Sequence, residues 1–193
     1  MRLFSSPRER RLWLWTLAVV VAIYSTLGLA GTLAGALREY GLLDASTLGL
    51  FAMFLLGTTI LTLGLKVRPG GVEIAVMFGV AFAYLLLVLR SSYLPEERTH
   101  LMEYGVVGVF IHAALAERAS QGRRVPLAPV VAVVLTATLG AVDEGIQWFL
   151  PDRVFDPVDM LFNLLASATS VAAVVALAWA RRMTLRRRGR LKG

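Results

Sequence analysis

The sequence predicts an all-α polytopic membrane protein: one transmembrane bundle of about six helices, with both termini in the cytoplasm. Three observations predict it. The chain of 193 residues is 57% hydrophobic and only 17% charged, a balance suited to a lipid-embedded chain rather than a water-soluble one. Six apolar runs, near 12–37, 46–65, 72–90, 100–117, 127–149 and 160–180, approach the roughly 20 helical residues that a bilayer core requires. The Lys and Arg residues are also distributed very unevenly between alternate loops.

Each run must be helical, because lipid offers nothing to an exposed backbone. The breaks between runs are chemically plain. Arg38, Glu39 and Tyr40 through Asp44 separate the first run from the second, and Arg68-Pro69-Gly70-Gly71 separates the second from the third. Ser91 to Arg98, with Pro95, comes next, and Gln121 to Pro126 precedes the fifth run. The last two runs are joined by Pro151 to Pro157. Small residues at Gly28, Gly31 and Gly35 recur at a spacing that permits close helix approach. The first run, with Ala34-Gly35-Ala36 near its end, also has features of a secretory signal, but it is long for one. The reading adopted is a single membrane domain over 1–193, with no repeat or linker.

Orientation follows from the basic residues. Sixteen of the 20 fall in one set of tails and loops: Arg2, Arg8, Arg10 and Arg11; Lys66 and Arg68; Arg118, Arg123 and Arg124; and the tail from Arg181 to Lys192. That set is expected to be cytoplasmic. Of the 13 acids, only Glu9, Glu73 and Glu117 share its side. The net charge of +7 is thus a topology signal, and no nucleic-acid partner is expected. There is no cysteine, so neither disulfides nor thiolate metal sites arise.

The candidate site lies where the fifth and sixth runs turn around on the opposite, extracytoplasmic side. Ionisable groups inside a membrane mark function by default. In the fourth run His100, Glu103 and Tyr104 fall at i, i+3 and i+4, on one helix face. In the fifth run Glu144, Gln147 and Trp148 repeat that spacing, with Asp143 on an adjacent face. Glu144 is expected about 9 Å below a helix end at Leu150. Beyond the turn, Asp156-Pro157 reads as N-cap and N1, and Asp159 at N3 suits the helix dipole. Asn163 follows Asp159 by four residues, and its amide needs partners. Arg153 is a planar donor for carboxylate or phosphate, or an ion-pair partner of Asp152 or Asp156. His112, deeper in the fourth run, reads as a packing or helix–helix hydrogen-bonding residue. The expectation is that His100, Glu103, Tyr104, Asp143, Glu144, Gln147, Arg153, Asp156, Asp159 and Asn163 line one wet hollow beneath the outer head groups.

These residues resemble the VanZ-like family of small bacterial membrane proteins. The resemblance rests on His100-x-x-x-Tyr104, on Asp143-Glu144-x-x-Gln147 with Pro151-x-Arg153, and on Asp159-x-x-x-Asn163. It covers about residues 90–170. Glu96 and Glu97 stand where the family often has Asp-Lys, and Ala166 stands where a Gly commonly follows the Asn. The resemblance implies a protein of the bacterial cell envelope, in a family named for a member linked to low-level resistance to teicoplanin. It implies no established catalytic activity.

Three functional classes follow. The first is a binding or modifying site for a polar head group, from a membrane lipid or a cell-wall precursor. There Arg153 and Gln147 donate, while Glu144, Asp159 and Asn163 orient the ligand. The second is a membrane-embedded hydrolase or transferase, with Glu144 or Asp143 as general base and His100 as its acid. The third is a proton-coupled transporter, disfavoured because the polar groups cluster near one face with no inverted repeat. No cofactor and no resident metal is expected. Carboxylates with one His would hold only a hard divalent ion.

Overall fold

The computed structural model describes residues 3–42, 70–90, 95–149 and 157–190. Within the helices, the side chains of 27–35, 37–38, 81, 84–90, 95–101 and 188–190 lie outside that description. The described residues form five α-helices and no strand. They are α1 (Pro7–Glu39), α2 (Gly71–Arg90), α3 (Pro95–Ser120), α4 (Ala128–Gln147) and α5 (Pro157–Arg190). The expected run at 46–65 lies outside the described residues. Ala128–Gln147 and Pro157–Arg187 are long and apolar enough to cross a membrane, and Gly71–Val80 is a shorter apolar stretch.

Four of the helices outrun the apolar segments that predicted them. At 34 residues α5 is about 51 Å long, well beyond a bilayer core of about 30 Å. The excess is the Arg-rich end, where Arg181, Arg182, Arg186 and Arg187 are residues of good helix propensity. By contrast α4 stops earlier than expected, at Gln147. Glu144 is therefore about 4.5 Å from the helix end rather than 9 Å.

The helices α3, α4 and α5 pack on one another in all three pairings; α1 adds to α3, and α2 adds to α5. The apolar core is formed by Ile23 of α1, Val107, Ile111 and Leu115 of α3, Ala132 of α4 and Val171 of α5. Thus α1 is a structural member of the bundle. Two glycines set the closest approaches. A Cβ at Gly108 would lie 3.4 Å from the Cα of Ser167, and a Cβ at Gly140 would lie 2.8 Å from the Cβ of Asn163. Close backbone approach through small residues is how helices associate where burial of apolar surface offers little.

The packing is inverted relative to a soluble domain. The buried stripe of α4 is Ala132, Thr136, Gly140, Asp143, Glu144 and Gln147. Its exposed face carries Val130, Val134, Leu135, Val142 and Ile146. On α5, Asn163, Ser167, Ser170 and Thr184 are buried while Leu161, Leu164, Leu165 and Trp179 are exposed. Thr136, Ser170 and Thr184 satisfy their buried hydroxyls on the carbonyls of Ala132, Ala166 and Ala180, one turn back. Polar inside and aliphatic outside is the arrangement that a lipid surround favours.

Two ends can be told apart. Arg118 at the foot of α3 donates to Glu9 of α1 at 3.0 Å, and Ser6 donates to Glu117 at 2.8 Å. Arg8, Glu117 and Ala178 line one groove, so the start of α1, the end of α3 and the C-terminal half of α5 meet there. Gly70, just before α2, touches Thr184 of α5. The start of α1 and the C-terminal half of α5 thus lie together, and the turn-around acids lie at the far end.

Candidate functional site

Three helices bring the polar cluster together. Near its C-terminus α4 supplies Asp143, Glu144 and Gln147, which are 0%, 0% and 2% exposed. Asn163, 0% exposed, comes from the second turn of α5, and Tyr104, 1% exposed, from α3. Each lies inward for a simple reason. Gly140, Asp143, Glu144 and Gln147 follow one another at i, i+3, i+4 and i+7, a single helix stripe, and the opposite stripe is aliphatic.

Asn163 faces that stripe directly. Its side chain lies against Gly140, one turn before Glu144. The Tyr104 hydroxyl lies near the Asp143 carboxyl. Tyr104 also packs with Ala166, Leu139 and Phe162, so an apolar collar surrounds the pair. Tyr24 of α1 reaches the same neighbourhood. Its hydroxyl donates to the carbonyl of Leu139 at 2.8 Å, one turn below Asp143.

The amides stand out within this cluster. Asn163 Nδ2 and Oδ1, and Gln147 Nε2, are buried with no hydrogen-bond partner among the described residues. Buried polar groups are almost always partnered, and leaving one bare costs about 1–3 kcal/mol. Donors and an acceptor are therefore held ready in a covered space beside two carboxyls and a phenol.

The expected residues fall into groups. Tyr104, Asp143, Glu144, Gln147 and Asn163 all turn inward. Glu103 and Asp159 are half-buried, and Asp159 sits in the first turn of α5 as its N3 reading requires. His100 is one turn before Tyr104 on α3, but its side chain lies outside the described residues. Arg153 and Asp156 also lie outside them, while Pro157 does begin α5.

One expectation is corrected. Trp148 shares the i+4 spacing with Glu144, yet it is 66% exposed, because α4 has ended and the residue turns outward as its C-cap. His112, expected to pack or to hydrogen-bond between helices, is half-buried at a groove, and its Nδ1 has no hydrogen-bond partner among the described residues.

Sequence reasoning missed Tyr24, Gly140 and Gly108. Tyr24 reads as one more aromatic in an apolar run. Gly140 had a signal, a small residue one turn before a buried acid. Among the described residues, no group of three or more His, Asp or Glu is arranged to hold a metal ion. No family model, no curated protein and no solved structure matches this chain.

Proposed function

We propose that the chain is a multi-pass protein of the bacterial plasma membrane, VanZ-like in kind, that binds a polar head group in the cluster of Tyr104, Asp143, Glu144, Gln147 and Asn163. The observation that carries this reading is the buried Asn163 amide and the buried Gln147 Nε2, without partners among the described residues. They lie in an inside-out bundle whose outer faces are aliphatic. A ligand that both donates and accepts hydrogen bonds fits amides, carboxyls and a phenol together. A hydroxylated or amine-bearing head group of a lipid or cell-wall precursor has that character.

The gathering of Arg8, Glu9, Glu117, Arg118 and the Arg-rich end of α5 at one end supports a cytoplasmic location for that end. The cluster is then extracytoplasmic. Arg153 and His100 would join it from the turn and from α3.

The test is direct. Lipids that co-purify with the wild-type protein are identified by mass spectrometry and compared with those of Asn163→Ala and Gln147→Ala. The variants are expected to lose a head-group-bearing molecule that the wild type retains. In cells, Glu144→Ala, Arg153→Ala and Asn163→Ala are expected to abolish an envelope phenotype, including any change in teicoplanin sensitivity, at unchanged protein level. Identical lipids and wild-type phenotype in all of these variants would refute the reading.

A second reading has one specific observation in its favour. The contact between Tyr104 and Asp143 places a proton donor beside a carboxyl within reach of Glu144 on the same stripe. A hydrolase or transferase would use such a carboxyl as general base. Turnover of lipid-linked substrates, lost in Asp143→Asn, distinguishes it from binding alone.

A further inference from the structure

A second site lies at the opposite end of the bundle. A groove of about 390 Å³ opens between α1, α3 and α5. Leu12, Val109, Val174 and Ala178 make its walls, and Arg8, Glu117 and Ser120 stand at its mouth. His112 also lines it, and its Nδ1 is buried without a hydrogen-bond partner among the described residues. The groove is therefore apolar along its length, with one hydrogen-bonding group set deep and a cation at the rim. His112 precedes Ser120 by eight residues, so it lies about 12 Å inside the helix end.

The rim has charge to offer. The Arg8 side chain is 70% exposed and stands 3.5 Å from Glu117, a loose ion pair. Glu117 has other partners, because Ser6 and Gln121 donate to it at 2.8 and 3.2 Å. Arg8 can therefore turn to an anion without stranding Glu117. Arg10 and Arg11 of α1 are exposed nearby in sequence, and Arg182, Arg186 and Arg187 extend the basic end of α5. A polybasic surface at a membrane face attracts anionic lipid.

We infer that this groove holds one anionic phospholipid. Its phosphate meets Arg8, an acyl chain lies along the walls, and a glycerol ester carbonyl accepts from His112. The inference shares the membrane reading above but does not depend on the polar cluster, which lies at the other end.

The test uses the full chain in detergent and native mass spectrometry. Phosphatidylglycerol and phosphatidylcholine with identical acyl chains are the probes. One phosphatidylglycerol is expected to stay bound, preferred about tenfold over phosphatidylcholine, as expected for a charge-assisted contact. Arg8→Gln, at an exposed position, and Ala116→Phe, which fills the groove, are each expected to lower retention about five- to tenfold. His112→Gln keeps a hydrogen-bonding group and is expected to retain more lipid than His112→Phe. Asn163→Ala is expected to retain phosphatidylglycerol as the wild type does, even where it loses the ligand of the polar cluster. Equal retention of the two lipids would overturn the inference. So would full retention in both Arg8→Gln and Ala116→Phe, or loss in Asn163→Ala, which would move the lipid to the far end.

Discussion

The Asn163 side chain lies so tightly against Gly140 that a methyl group added at Gly140 would sit 2.8 Å from its Cβ and 2.9 Å from its amide nitrogen. The relationship joins packing to function. The glycine brings α4 and α5 together, and in doing so it delivers the amide to the stripe that carries Asp143, Glu144 and Gln147.

Gly140→Ala is therefore expected to destabilise the protein by about 1–3 kcal/mol, the usual cost of overpacking a close interface. The gain in helix propensity, up to about 1 kcal/mol, is too small to offset a contact of that length. Unfolding in detergent measures it. Gly145→Ala is the control, because nothing lies within 4 Å of a Cβ there, and it should be neutral or slightly stabilising.

Glu9 predicts a pH dependence at the other end of the bundle. Covering by its neighbours raises its pKa, but the Ser5 backbone and hydroxyl donors and the Arg118 guanidinium outweigh this and hold it below the ordinary glutamate value. A group depressed on folding adds stability above its unfolded pKa, and the contribution fades as pH falls through the folded one. Melting temperature is expected to decline as pH falls below the ordinary glutamate range of about 4.3. Glu9→Gln should start lower at pH 7 and lose part of that decline; parallel wild-type and Glu9→Gln curves would contradict the linkage.

Tyr24 ties α1 to α4 through a single bond to the Leu139 carbonyl. Tyr24→Phe keeps the ring and is expected to cost about 0.5–1.5 kcal/mol, the net value of one hydrogen bond. Because Leu139 lies one turn below Asp143, the variant should also weaken ligand retention at the polar cluster more than an equally destabilising change such as Ile23→Val. Retention in the two variants, compared at matched stability, checks this.

Much of this architecture was legible in the sequence because long apolar runs mark helices. Apolar runs gave the five described helices, and the Arg and Lys pattern put the start of α1, the end of α3 and the end of α5 on one side; Arg8, Glu117 and Ala178 line one groove. The i, i+3 spacing of Glu144 and Gln147 already implied a shared face, which is the buried one, and Asp143, expected on an adjacent face, is buried as well. What was hidden depends on contacts between distant segments. Nothing local tells Gly108 from Gly28, Gly31 and Gly35, since a glycine's role is set by the helix opposite. Nothing local tells that Tyr24 reaches α4. The exact end of α4, which turned Trp148 outward, depends on where a helix is relieved of its carbonyls, and periodicity does not report that.

Asn163 separates a binding role from a packing role. A buried amide whose atoms lack partners lowers the stability of the empty protein, by about 1–3 kcal/mol where nothing compensates. Asn163→Ala removes that amide but keeps the Cβ that packs on Gly140. It leaves a small cavity, and that loss acts in the opposite direction. The ligand-free variant is therefore expected to melt within about 1 kcal/mol of the wild type, or above it. It should at the same time no longer be stabilised by head-group-bearing lipid that stabilises the wild type. If Asn163 served packing alone, the variant would melt well below the wild type and respond to lipid as before. Thermal melts of delipidated protein, with and without added lipid extract, separate the two outcomes.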